Sequence, residues 1–335
     1  MWSNFVSMPG LKAKSILAAG IMLLCLVSCK SSSSLTSSAE LKETPKFDIR
    51  LTEEPYEKQK YKNKKMAILI QYLEDVTKLK IAYVPAINYA HSYALFRNGD
   101  VDLINVGIYG GYQILKNNPE AVPIAIQKPS MRNILITNQQ TTAPKQKQAL
   151  NPGEAKNTPF PLLLGKRVGF GSRFSGSSFM HPLLEMQKNS LVITDLAHCN
   201  NEPIVSNLPS LVAMGFFDFA FLHSYHPDPL RNVPSSIKSK VKKLWESEPK
   251  RNAYIIAQAR DIDETKRANI ELVKQAILSL NSKQVRDKIV LDAWGYTGFD
   301  LPTDSFPTDI NLEIEQLIQK SGRLPTCNKD YGQTS

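Results

Sequence analysis

From residue 47 onward, short apolar stretches alternate with longer segments in which apolar positions recur every three or four residues. The first kind suits a strand, the second one face of a helix. FDIRL (47–51) precedes a helical pattern through MAILIQYLEDVTK (66–78), and KIAYV (80–84) reads as the next strand. The cycle repeats with a helix over 89–99, a strand at VDLINVG (101–107), a helix at YGGYQILKNN (109–118) and strands at AVPIAIQ (121–127) and MRNILITN (131–138). Periodicity then stops over 139–160, a polar, proline-bearing stretch that reads as a surface loop. It restarts with a strand at GKRVGF (165–170), a helix from about 178, a strand at EPIVS (202–206), a helix at LPSLVAMG (208–215) and a strand at FFDFAFL (216–222). RNAYIIAQ (251–258) is again strand-like, and two long helical patterns follow over 263–281 and 282–295. Apolar strands between amphipathic helices predict α/β sheets covered on both faces. Taking 131–138 and 251–258 as strands that cross between two units gives two lobes. The first is expected to hold 46–134 and 256–325, the second 135–255.

The first 28 residues stand outside this pattern. Lys12 and Lys14 precede the apolar run SILAAGIMLLCLVSC (15–29), which is shorter than a membrane span and reads as an export signal. Its end, Leu26-Val27-Ser28-Cys29, resembles the lipobox of bacterial lipoproteins, which implies lipid attachment at Cys29 and a bilayer as partner. A serine-rich stretch over 29–45 has the composition of a flexible tether. The expected location is the cell envelope, facing the periplasm or the outer surface.

Charge and cysteines narrow the picture a little. The formal net charge is +10, and without Lys12 and Lys14 of the leader the remaining chain carries two fewer, which favours anionic partners or a solvated lysine-rich face. No arginine-rich arm with interleaved aromatics occurs, so nucleic acid is not an expected partner. Beyond Cys25 and Cys29 there remain Cys199 and Cys327, which in an oxidising compartment either pair or stay as two separate thiols. No Gly-x-Ser-x-Gly elbow or Walker sequence is present, and no paired nucleophile and base stands out, so no enzyme, cofactor or metal is expected. His223 and His226 flank Ser224-Tyr225 and read as loop residues rather than metal ligands.

The most unusual stretch is Ser172-Arg173-Phe174-Ser175-Gly176-Ser177-Ser178, hydroxyl-rich and placed between a strand and a helix. The first turn of a helix leaves amide donors without partners and carries the positive end of the dipole, so this loop reads as an anion site. Ser175, Ser177 and Ser178 supply hydroxyls and Gly176 close backbone approach; a simple N-cap by Ser175 or Ser177 is the plainer reading of the same residues.

Several segments in order resemble the phosphonate-binding type of ABC-transporter substrate-binding protein. They are Tyr72-Leu73-Glu74, Asn88-Tyr89, Gly99-Asp100-Val101-Asp102, the helix from Tyr109 to Tyr112, the serine loop, NLPSLVAMGFFDFAFLHS (207–224) and WGYTGFDLPTDSFPTDI (294–310). The resemblance, over about 45–310, implies the two-lobed type 2 periplasmic-binding fold with a ligand cleft between the lobes. It also implies a small oxyanion ligand such as phosphonate, phosphite or phosphate, hinge closure, and an ABC permease as partner for a monomeric receptor. It places Tyr89 over the ligand, with Tyr112 or alternatively Tyr109, and puts the serine loop opposite; Asn207, Ser224 and Tyr225 fall at the cleft end of the second lobe. Two departures stand out. The loop reads Ser-Gly-Ser-Ser where the family reads serine-threonine-serine-glycine, and Ser206-Asn207-Leu208 stands where the family has a histidine. They leave a second reading open, a lipoprotein of the same fold with a sensory or partner-binding role.

Overall fold

The computed structural model describes residues 46–140, 158–226, 228–302, 308–321 and 326–327. The leader, Cys29, the tether and most of the 139–160 stretch lie outside the described residues.

Two sheets organise the described chain, each built around a parallel core. In the first lobe β1 (Ile49–Glu53) lies between β2 (Ile81–Tyr83) and β3 (Leu103–Val106), with the helices α1 (Gln59–Thr77), α2 (Tyr89–Arg97) and α3 (Ile108–Asn117) as connections. β4 (Val122–Lys128) follows, and the chain then crosses to the second lobe as β5 (Arg132–Asn138). There β6 (Arg167–Phe170) lies between β7 (His198–Asn201) and β8 (Phe219–Ser224); α4 (His181–Lys188), α5 (Leu208–Ala213) and α6 (Ser235–Lys238) connect these strands, and β9 (Val241–Glu246) closes the far edge against β5. The return strand β10 (Tyr254–Ala257) runs antiparallel between β3 and β4. α7 (Glu264–Ser279), α8 (Val285–Trp294) and β11 (Gly298–Asp300) complete the first lobe, and α9 (Thr308–Ser321) ends the helical chain. Five strands of each sheet share one order, β2-β1-β3-β10-β4 and β7-β6-β8-β5-β9, so each lobe borrows its antiparallel strand from the chain that crosses over.

The crossings define the hinge. The Gln127 amide donates to Ala253 O at 3.0 Å, Met131 and Lys250 exchange backbone hydrogen bonds at 2.9 and 2.7 Å, and Asn252 Nδ2 donates to Pro129 O at 3.0 Å. Two chain segments held side by side can twist together at little cost, which is the mechanical basis of hinge closure.

Three differences from the sequence expectations have physical reasons. The strand expected at EPIVS lies one step earlier, at His198–Asn201: Pro203 has no amide to give a ladder, whereas the polar HCNN pairs in parallel with β6 and turns Cys199 into the core. β9 was not expected from VKKLWE, because lysines on an edge strand hide the alternation. The sheets place all of β5 in the second lobe and all of β10 in the first, and α9, within the 256–325 assigned to the first lobe, packs on α4 and sets Ile314 into the second lobe's core. Cys199 and Cys327 form a disulfide that ties the end of the described chain to β7.

Candidate ligand-binding site

The serine loop enters its helix through a wide first turn. Ser175 is extended (φ −80°, ψ 119°), its Oγ accepts from the Ser178 amide at 3.2 Å, and the Met180 amide reaches back five residues to Ser175 O at 3.1 Å. That five-residue spacing is a π turn, a widening that recurs at functional sites. The Ser178 hydroxyl donates to Ser175 Oγ at 2.8 Å, and Ser177 Oγ lies 3.3 Å from the same atom. Asn133 of β5 supports the turn from below by donating to Ser177 O. Ser175 therefore caps the helix and gathers the hydroxyls of the loop.

The two lobes are closed on one another around this loop. Gly176 lies against the start of α3, where a Cβ on it would fall 3.1 Å from Tyr109 Cβ and 3.2 Å from Tyr109 N. The Tyr89 side chain of α2 faces Ser175 across the cleft, and the Val205 amide donates to Tyr56 O at 3.2 Å. A cavity of about 60 Å³ remains, lined from the first lobe by Glu54, Tyr56, Tyr89, Asn105, the Val106–Ile108 turn and Tyr296, and from the second by Ser175, Gly176, Ser177, His181, His223 and Tyr225. The hinge contributes Met131 and Arg251 to Ala253. One water needs about 10–15 Å³ of such space, so the cavity has room for a compact tetrahedral group.

Of the sequence-predicted residues, Tyr89, Ser175, Gly176, Ser177 and Tyr225 line this cavity. Tyr109 does not, although its backbone receives Gly176 and its ring joins the second lobe's core. Ser178 is fully buried beneath the loop and acts through Ser175. Tyr112 is turned away toward Glu315 and Lys116, a pair at 2.5 Å that ties α3 to α9. Asn207 is engaged with Glu202 Oε1 at 3.2 Å, and the Ser224 hydroxyl bonds His226 within its own turn at 2.8 and 3.0 Å.

Sequence reasoning missed Glu54, His181 and His223. Glu54 is 7% exposed; its Oε1 accepts from the Tyr93 hydroxyl at 2.5 Å and its Oε2 from the Gly107 amide at 2.9 Å. Gly110 makes that approach feasible, since a Cβ there would collide with both Glu54 Oε1 and the Tyr93 hydroxyl. His181, 1% exposed, has no hydrogen-bond partner on either ring nitrogen, and His223 has none on Nδ1. Such buried polar atoms cost stability unless a ligand or water meets them. Beneath the site, Glu53 and Lys62 form a fully buried ion pair at 3.6 Å. Among the described residues no group of His, Cys, Asp and Glu is arranged to hold a metal, and no helix is long and apolar enough to cross a membrane.

Burial sets the protonation of these groups. Desolvation raises Glu53 and Glu54 to about 7 and lowers His181 to about 3 and His223 to about 4. Between about pH 4.5 and 6.5 their effects on stability offset: the native glutamates keep protons that the unfolded ones lose, and the unfolded histidines take up protons that the native ones refuse. Below about pH 4.5 only the histidines count, and each removes about 1.4 kcal/mol of stability per pH unit until its folded value is reached. Carboxylates held low by cationic partners, such as Asp218 beside Arg167, add to the same acid limb. The readout is therefore a difference: urea unfolding from pH 5 to 3.5 should show a shallower loss for His181→Gln than for wild type. Parallel curves would mean that His181 is not held neutral.

Comparison with solved structures gives the same architecture. PhnD1 from Prochlorococcus marinus, in complex with methylphosphonate, superposes with a TM-score of 0.70 at 19% identity, over 82% of this chain and 98% of that one. A binding-protein component of an ABC phosphonate transporter from Pseudomonas aeruginosa gives 0.64 at 15% identity, over 80% and 84%. The periplasmic aliphatic sulphonate binding protein SsuA from Escherichia coli gives 0.55 at 15%, over 83% and 94%. No curated protein matches the chain. These likenesses establish the two-lobed periplasmic-binding fold. The sequence profile of one family, the periplasmic substrate-binding proteins of phosphonate ABC transporters, spans residues 51–305, and with its strand order, hinge and interlobe cleft the chain belongs to that family of binding proteins rather than enzymes.

Proposed function

We propose that the protein is a lipid-anchored receptor that closes on a small phosphorus oxyanion and hands it to an ABC permease. The observation that carries this reading is the interlobe cavity with the Ser175-Gly176-Ser177 turn on one side and Tyr89 on the other. Helix-start amides and hydroxyls hold an oxyanion without a full counter-charge, which suits a ligand that must later be released. His181 and His223 supply further donors where the family's usual histidine is missing, and the cavity's size favours phosphonate, phosphite or phosphate. Closure follows from binding because only the closed form presents donors from both lobes. The fold includes both a methylphosphonate complex and a sulphonate-binding protein, so side chains must set the ligand class.

The test is a thermal-shift series on the full-length, detergent-solubilised protein with phosphate, phosphite, methylphosphonate, aminoethylphosphonate and sulfate. A ligand bound only by the native state raises Tm with concentration, by the equivalent of about 2.7 kcal/mol at one hundred times Kd. A concentration-dependent rise with a phosphorus oxyanion is expected; no response to any of them would favour the sensory or partner-binding reading instead. Lipid attachment at Cys29 is tested separately, since Cys29→Ser should release the protein from membranes and a variant that stays membrane-bound would refute the anchor.

A further inference from the structure

We infer that Glu54 is a specificity-determining residue of the cleft, one that admits an oxyanion only when a proton lies between it and the carboxylate, and so selects phosphonates over sulfonates. The inference rests on the proposed oxyanion-binding function and deepens it. An ionised carboxylate is an acceptor with no donor to offer, and it repels a fully ionised anion at close range. Glu54 nonetheless lines the same small cavity as the serine loop, together with Tyr89, which lies within the electrostatic reach of Glu54. Tyr93 and the Gly107 amide each occupy one lone pair of the carboxylate, which fixes its orientation and leaves acceptor capacity on both oxygens.

A phosphonate near neutral pH keeps one P–OH and can donate it to Glu54 while its other oxygens face the serine loop. A sulfonate has no such proton. It can be accommodated only if Glu54 arrives already protonated, and the closed complex then holds the same single proton on the other partner. Burial raises Glu54 to about 7, so this second route opens as the solution is acidified. Other charged and titratable groups around it are Tyr89 and Tyr93 of α2, Lys62 of α1 and the neighbouring Glu53, with His181, His223, Tyr56 and Arg251 elsewhere on the cavity wall. Burial keeps both histidines neutral and the tyrosines protonated between pH 5.5 and 8, which leaves Glu54 and the ligand as the groups that titrate at the cavity; Glu53, raised by its own burial, is set apart by the variant.

The experiment measures Kd for methylphosphonate and methanesulfonate by calorimetry at pH 5.5, 7 and 8, on the full-length wild type and on Glu54→Gln, with circular dichroism to confirm folding. Glu54 raised to about 7 is only about one-tenth protonated at pH 8, so for wild type methylphosphonate should bind about tenfold tighter than methanesulfonate there, and methanesulfonate affinity should rise about tenfold on going to pH 5.5. Glutamine donates without a proton from solution, so Glu54→Gln should bind methanesulfonate at least tenfold tighter at pH 8, with no further gain in acid. Should Glu54→Gln fail to fold, the wild-type pH series still decides. A wild type that binds methylphosphonate but shows a pH-independent preference, or a variant with unchanged preference, overturns the role of Glu54 alone. Absence of methylphosphonate binding at every pH overturns the oxyanion reading along with it.

Discussion

Gly176→Val is expected to weaken oxyanion binding by about fivefold to a hundredfold while leaving the unliganded protein as stable as wild type. A Cβ at this position would sit 3.1 Å from Tyr109 Cβ and 3.2 Å from the Tyr109 amide nitrogen, tighter than most real Cβ contacts, and valine adds two methyl groups beyond it. Overpacking of this kind costs about 1–3 kcal/mol, and at about 1.4 kcal/mol per tenfold the upper end is a hundredfold in affinity. The strain exists only when the second lobe meets α3, so an open protein escapes it. Binding is charged for it and folding is not. Calorimetric titration beside a urea melt separates the two, and Gly176→Ala should fall between. Equal affinity in the valine variant would mean that the serine loop does not approach α3 in the liganded form. A matching loss of stability would mean that the contact belongs to the fold and not to closure.

Removing the Cys199–Cys327 disulfide should cost about 3–5 kcal/mol of unfolding free energy. The bond joins residues 128 apart, and both cysteines are buried in the second lobe's core, at 3% and 7% exposure. In the chain-entropy account, a loop of that length restricts the unfolded ensemble by up to about 5 kcal/mol. The bond also holds the chain end where α9 places Ile314, so its loss should free that helix before the sheet beneath it. Urea unfolding of Cys199→Ser/Cys327→Ser against wild type checks the magnitude, and a difference under about 1 kcal/mol would contradict it. An oxidising compartment, as expected for an exported protein, is where such a bond persists.

Much of the architecture was legible in the chain because buried parallel strands and amphipathic helices leave strong periods. The β1–α1–β2 and β6–α4 units were visible for that reason. Edge strands were not: HCNN is too polar to read as β7, and VKKLWE carries its lysines on a rim. The destination of α9 was invisible as well, since amphipathicity announces an apolar face without naming the lobe that receives it.

At the site, the serine loop could be read because its hydroxyls, glycine and helix start have a local meaning. Glu54 could not, because Thr-Glu-Glu-Pro looks like a solvated turn and glutamates are rarely buried. The available signal was positional, since two glutamates at the carboxyl end of a central parallel strand stand where α/β sheets place their ligands. His181 was passed over for a different reason. Six residues beyond Ser175, it reads as ordinary helix surface until the wide turn carries it onto the cavity wall. Ser224 and Asn207 do not line the cavity, because a hydroxyl or amide at the cleft end of an element can satisfy itself locally, as both do here.

Whether the serine loop holds the oxyanion between the closed lobes is decided by a calorimetric titration of full-length wild type and Ser175→Ala/Ser177→Ala with methylphosphonate at pH 7. Saturable binding at one site is expected in wild type and a loss of at least thirtyfold in the variant, about 2 kcal/mol for two hydroxyls that meet a charged ligand. Wild-type binding that survives unchanged in the double-alanine protein would contradict that role of the loop.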